Sequence, residues 1–119
     1  MTVIFEKATE LGRLVGQSDE YQALKRAHES VREQDELRGR MDELTALAQR
    51  IEEAVARDQE PPPEAIEHYN TLLGLIQSQP EYQRVVAAQT NFDKLMLKVD
   101  GQIREGIKTG AASRIITLG

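Results

Sequence analysis

Two histidines, four serines and twenty carboxylates are the side chains in this chain that could carry chemistry, and their spacing decides which chemistry. A carboxylate-bridged di-metal bundle needs Glu-x-x-His on facing helices. Lys25 stands three residues before His28, and Ala65 three before His68, so neither histidine completes that pattern. Glu64 and His68 are four apart and could share one helix face, but two ligands do not make a metal site. Nucleophilic catalysis would need a serine poised beside a base, yet Ser18, Ser30, Ser78 and Ser113 each have an ordinary place as a helix cap or a polar-face residue. No glycine-rich phosphate loop, nucleophile elbow or HExxH is present. The absence of cysteine removes thiolate catalysis, iron–sulfur clusters, Cys-based zinc sites and disulfides. The carboxylates sit among Lys and Arg at helical spacing, with Glu36/Arg40 and Glu53/Arg57 in the favourable four-residue order, which is how exposed helices are laced. The residues read as those of a non-enzyme with no cofactor and no metal.

One phrase recurs. SDEYQALKRA begins at Ser18 and SQPEYQRVVAA at Ser78, each a serine followed by Glu-Tyr-Gln and an apolar-periodic run. Both read as helix starts, with Ser18 and Ser78 as N-caps, a carboxylate in the first turn and Tyr21 or Tyr82 opening the buried stripe. The offset differs, since three residues separate Ser18 from Tyr21 and four separate Ser78 from Tyr82. A catalytic pair would not tolerate that slip, whereas a capped first turn with Pro80 inserted does.

The elements around these residues follow from composition and periodicity. With 119 residues, 29% charged and 39% hydrophobic, the chain has the balance of one soluble domain, residues 1–119. Five aromatics and no tryptophan leave the core to aliphatic side chains. No run approaches 18 apolar residues and the N-terminus lacks a secretory pattern, so a cytoplasmic protein with no membrane span is expected. Residues 1–80 hold 9 basic and 16 acidic side chains, while residues 81–119 hold 6 and 4. Lys94/Lys98 and Arg104/Lys108 could form a weak basic stripe on the last helix, but a pI near 5.1 argues against nucleic acid as the partner.

Helical periodicity runs almost throughout, and no strand pattern competes with it. A short helix is expected over 1–16, with Ile4, Ala8, Leu11 and Val15 on one face. A long one follows over 18–58, carrying Tyr21, Leu24, Ala27 or His28, and Val31, then Leu37, Met41, Leu44, Ala48, Ile51 and Val55. The six-residue step from Val31 to Leu37, across residues 32–36, reads either as a bend or as a stop with Asp35 capping a new helix. With no Gly or Pro there, the pattern favours one bent or continuous helix. The prolines of DQEPPPEA punctuate the chain, a third helix spans 63–77, and a long helix spans 80–108. Val85, Ala88, Phe92, Leu95 or Met96, Val99, Ile103 and Ile107 mark its stripe, and residues 110–119 read as a tail. The expected fold is all-α: a long antiparallel hairpin or bundle of four helices, or five if the long one breaks. Helices of this length exceed what one small chain can cover, so the expectation includes a homo-oligomer, with Leu37, Met41, Leu44, Ile51, Phe92, Leu95, Val99 and Ile103 serving the core or the contact between copies.

The order of these features resembles the YlbF/YmcA family of small bacterial helical proteins. The likeness covers roughly Thr2 to Ile107 and is carried by ATELGRLVGQS, EYQALKRAHESVREQDEL, the proline turn, and QSQPEYQRVVAAQTNFDKLMLKVDGQI. The resemblance implies a self-associating α-hairpin and a non-enzymatic regulatory role. Family members act in partner complexes that influence competence, sporulation and biofilm formation, in part through ribonuclease Y and mRNA processing. Some carry a Cys-containing extension that binds iron–sulfur clusters; this chain has no cysteine, so that role does not transfer, and it looks closer to the shorter members. The expected function is therefore a regulator or adaptor acting on itself or another regulatory protein. Two alternatives are a module binding nucleic acid or a small ligand weakly through the basic last helix, near Tyr82 and Arg84, and a purely structural scaffold.

Overall fold

The computed structural model describes residues 1–118, with side chains over 1–112. Five helices appear in the order α1 (Thr2–Gly16), α2 (Asp19–Glu33), α3 (Asp35–Ala56), α4 (Pro63–Gln77) and α5 (Pro80–Leu118), and no strand occurs among the described residues. The fold is all-α. The helical signal beyond Lys108 is stronger than the residue types suggest: α5 continues through Thr109 and Gly110, so residues 110–118 are not a separate tail.

The long second helix of the sequence reading is two helices. Gln34 leaves the helical region at φ −91°, ψ 94°, although neither glycine nor proline forces it to. Asp35 is the first residue of α3 and not its cap, and the Gln34 side chain makes no capping bond. Hydrophobic phase explains the break. Six residues of α-helix turn through about 600°, which would leave Leu37 about 120° around the axis from Val31. One extended residue resets the phase, so that Val31 and Leu37 enter the same cluster of buried side chains. The stripes on the two sides of Gln34 can meet in one cluster only if the helix stops between them.

A substitution separates the broken from the continuous arrangement. The Asp35 position suits proline, because it is the first helical residue and a proline there favours an extended residue before it. We expect Asp35→Pro to move unfolding stability by no more than about 1 kcal/mol, whereas a proline inside a continuous helix costs about 3 kcal/mol or more. Urea denaturation followed by circular dichroism would check this.

The hairpin turn lies between α3 and α4. The backbone of α3 closes with Gln59 N–H donating to Ala54 O (2.8 Å) and Asp58 N–H to Val55 O (3.1 Å). This pair of bonds needs a left-handed residue, and Asp58 supplies it at φ 56°. Pro61 and Pro62 stiffen the connection, and Pro63 occupies the first turn of α4, where its missing N–H costs nothing. The chain then returns antiparallel, with α4 packed on α3 and α5 packed on α2.

Two clusters fill the seam. The larger holds Val31, Leu37, Leu47, Ala65, Leu72 and Ile76, with Met41, Leu44, Ile51, Tyr69, Tyr82 and Val85 against it. The smaller holds Leu24, Ala27 and Ala88, flanked by Val85 and Phe92. Both arms bend at the same level: Val31 and Leu37 bracket Gln34, Ile76 and Tyr82 bracket Ser78–Gln79, and all four join the larger cluster. Ile76, at 1% exposure, is the most enclosed side chain at this joint.

The chain measures 69 × 37 × 22 Å with a radius of gyration of 21.7 Å. A compact chain of this length would have about 13–14 Å. Helix α1 buries no residue and meets only α2. All of α5 past Asp100 with described side chains is exposed.

Candidate interaction surface

The repeated Glu-Tyr-Gln phrase occupies one helical position twice. In α2 the glutamate, tyrosine and glutamine are the second, third and fourth residues, and in α5 they are again the second, third and fourth. The two glutamines do the same job. Gln22 Nε2 donates to Gly16 O (2.8 Å), and Gln83 Nε2 donates to Gln77 O (3.2 Å), each reaching back six residues to a carbonyl at the end of the preceding helix. Arg38, the fourth residue of α3, repeats the geometry by donating to Arg32 O at 2.9 Å. Carbonyls left free at a helix end need partners, and a long donor on the next helix supplies one while holding the angle between the two. All three tight bends therefore carry the same clasp. The repetition of Tyr-Gln was the visible signal; the reach of the glutamine was not.

The serines behave differently from each other. Ser18 sits just before α2, where its Oγ accepts from Tyr21 N–H (3.1 Å) and donates to Val15 O (2.6 Å), tying two helices together. Ser78 does not cap α5. It terminates α4, its hydroxyl donating to Leu75 O at 2.8 Å, while Gln79 takes the position before α5 and accepts from Gln83 N–H with its carbonyl (3.0 Å). The extra residue between Ser78 and Tyr82 is what shifts the serine out of capping reach.

The remaining candidates divide between the interior and open faces. Leu37 is buried, and Met41, Leu44 and Ile51 pack beside it, so these four serve contacts within the chain. Phe92 packs on the smaller cluster and meets Tyr21 edge-on, with ring centroids 5.7 Å apart and planes at 63°. Leu95 lines a groove between α2 and α5, while Val99 and Ile103 line a different one with Leu11, Lys98 and Gln102. That second groove, about 400 Å³ and open to solvent, lies where α1 approaches the far half of α5.

Opposite charges line the α2–α5 groove. Asp19 and Glu20 face it from α2, and Lys94 and Lys98 from α5. The lysines that would form a basic stripe thus share their space with carboxylates, which weakens any phosphate-binding field. Arg104 Nε lies 2.8 Å from Asp100 Oδ2, and that hydrogen bond, together with the carboxylate's charge, raises the guanidinium above its ordinary pKa. Arg40 pairs with Glu36 at 2.6 Å. His68 pairs across the hairpin with Glu43 at 3.0 Å and not with Glu64 along its own helix. No three His, Asp or Glu side chains converge among the described residues.

What the molecule leaves uncovered is apolar. Val3, Ile4, Phe5 and Leu14 on α1 and Leu97 and Ile107 on α5 are each more than 60% exposed. Ile4 and Leu11 share one face of α1, and Val99, Ile103 and Ile107 share one face of α5. No helix among the described residues is long and apolar enough to cross a membrane. Aliphatic and aromatic surface of this extent fits contact with protein.

The family model described as "Control of competence regulator ComK, YlbF/YmcA" matches residues 4–108 of the chain. No curated protein and no solved structure gives a significant match.

Proposed function

Because the chain belongs to the YlbF/YmcA family, we propose that it is a non-enzymatic regulatory adaptor that works through contacts of its helix faces with other protein chains, itself included. The family is linked to control of the competence regulator ComK, which places the chain in a regulatory family. The observation that carries the adaptor reading is the pairing of a closed seam with uncovered ends. Leu37, Leu72 and Ile76 are spent on the hairpin, whereas Phe5, Leu97 and Ile107 remain in solvent. A chain folded only for its own stability would not keep such residues outside. The nucleic-acid alternative lacks comparable support, since Asp19 and Glu20 stand against Lys94 and Lys98.

The test is genetic and structural together. In a bacterium whose own family member is deleted, this chain should restore a ComK-dependent transcription reporter. A variant with Phe5→Asp and Leu97→Asp, both exposed positions, should retain its circular dichroism spectrum and lose the restoration. Full restoration by that variant would end the adaptor reading through these faces.

A further inference from the structure

A groove of about 550 Å³ lies against the turn between α3 and α4. Pro61, Pro63 and Ile66 line it with apolar surface, and Glu60 and Glu67 with carboxylates. Ile66 is 41% exposed because it stands one residue off the stripe of Ala65, Tyr69, Leu72 and Ile76 that closes the seam. The charge around this groove exceeds what a turn needs. Residues 52–67 hold Glu52, Glu53, Asp58, Glu60, Glu64 and Glu67 against Arg57 as the one basic residue, a net −5 that equals the charge of the whole chain. All six carboxylates are exposed, and none enters an ion pair among the described residues. Glu64 suits its place in the first turn of α4. Glu53 does not, since it stands in the last turn of α3, where no basic residue offsets the negative end of the helix dipole.

We infer that this groove docks a basic, aliphatic segment of a different protein, whose apolar side chain lies on Pro61, Pro63 and Ile66 while its lysines or arginines meet Glu60 and Glu67. This rests on the reading of the protein as one that works through contacts with other chains. It adds a surface at the turn, apart from α1, which meets neither α3 nor α4. Charge selects the occupant: an acidic segment would enter a negative field with nothing to offset it, whereas a basic one gains from each unpaired carboxylate. The apolar lining sets the second requirement, because a purely polar cation would leave Ile66 and the prolines in water. The groove is also ready-made. Pro62 is extended at φ −57°, ψ 131°, and a run of prolines has little freedom left to lose when a segment docks. Asn70 and Thr71, both exposed, line the same groove with groups that can bond a peptide backbone. A second copy of the chain does not supply the segment. Lys94 and Lys98, its cations on either side of an apolar run, already face Asp19 and Glu20.

Fluorescence anisotropy of the full chain with a dye-labelled peptide of alternating lysine and leucine reads the inference directly. That peptide should bind about tenfold or more tightly than its lysine–serine and glutamate–leucine counterparts, and its binding should weaken with added salt. The double variant Glu60→Lys and Glu67→Lys should weaken it by about tenfold or more, and Ile66→Ser by about threefold or more. Glu6→Lys with Glu10→Lys makes the same change of net charge on α1 and should leave the dissociation constant unchanged. All these positions are exposed, so each variant should keep its circular dichroism spectrum. An equal loss in the two charge reversals overturns the inference, because net charge alone would then explain the binding. So does a lysine–serine peptide that binds as tightly as the lysine–leucine one. Loss of self-association in the Glu60/Glu67 variant, read by sedimentation equilibrium, would assign the groove to a second copy and overturn it as well. Reporter restoration is scored separately: a chain that restores it without binding the peptide defeats this groove and leaves the regulatory reading standing, and binding without restoration does the reverse.

Discussion

Replacing Ile76 by alanine is expected to lower the unfolding free energy by about 2–5 kcal/mol, the range for removing a large aliphatic side chain from a packed core. The upper part of that range is expected here. Ile76 is 1% exposed and sits where both arms of the hairpin change direction. On one side it shares a cluster with Val31 and Leu37, on the other with Leu72 and Tyr82, and Val85 carries that cluster on to Ala88. A cavity at this point has little room to collapse, because Gln34 and Ser78–Gln79 hold the chain out of the helix on either side. Small domains have about 5–15 kcal/mol in total, so the variant stands near the edge of folding at 37 °C. Chemical denaturation would show a lower midpoint. The transition should stay single, because the joint belongs to both halves of the seam. A shift below about 1 kcal/mol would mean that the bend is held by its clasps and not by its core.

How far the sequence shows this can be judged at the same place. The helices, their order and the proline turn are visible because each rests on local rules: apolar spacing of three and four, proline at a first turn, and glutamate or aspartate near a helix start. The break at Gln34 was signalled by the six-residue step, yet the absence of Gly and Pro favoured continuity. Local propensity yielded to the tertiary demand that Val31 and Leu37 join one cluster. The same limit governs the candidate contact residues. Periodicity places Met41 and Ile103 on stripes of similar strength, but it cannot say which stripe the hairpin closes on. Only the seam between α3 and α4 shows that Met41 faces inward and that Ile103 is left outside at 48% exposure. At Ser78 the difference is one residue: a serine two places before a helix cannot reach its first free N–H groups, and it bonds back to Leu75 instead. The glutamine clasps were hidden because their acceptor lies in a different helix, six residues back, where helix-spacing rules do not look.

Enlarging Ala88 to leucine should damage the other half of the seam, and its effect should be local where that of Ile76→Ala is global. Ala27 and Ala88 are 7% and 8% exposed and face each other where α2 lies on α5, with Leu24 the one large buried residue nearby. Small side chains set that approach, so a leucine has to push the helices apart, at a cost of about 1–3 kcal/mol. The larger cluster between α3 and α4 does not include Ala88 and has its own turn, its own prolines and the Glu43–His68 pair. Hydrogen exchange is therefore expected to quicken over α2 and residues 80–95 while the amides of α3 and α4 keep their protection. Detaching α2 also loosens α1, which meets the rest of the chain only through α2. Uniform loss of protection along the whole chain would show that the two clusters act as one cooperative unit. Protection lost only over α2 and residues 80–95 would instead show a hairpin in two parts, with the α3–α4 seam standing as the firm part and the α2–α5 seam as the part that yields first.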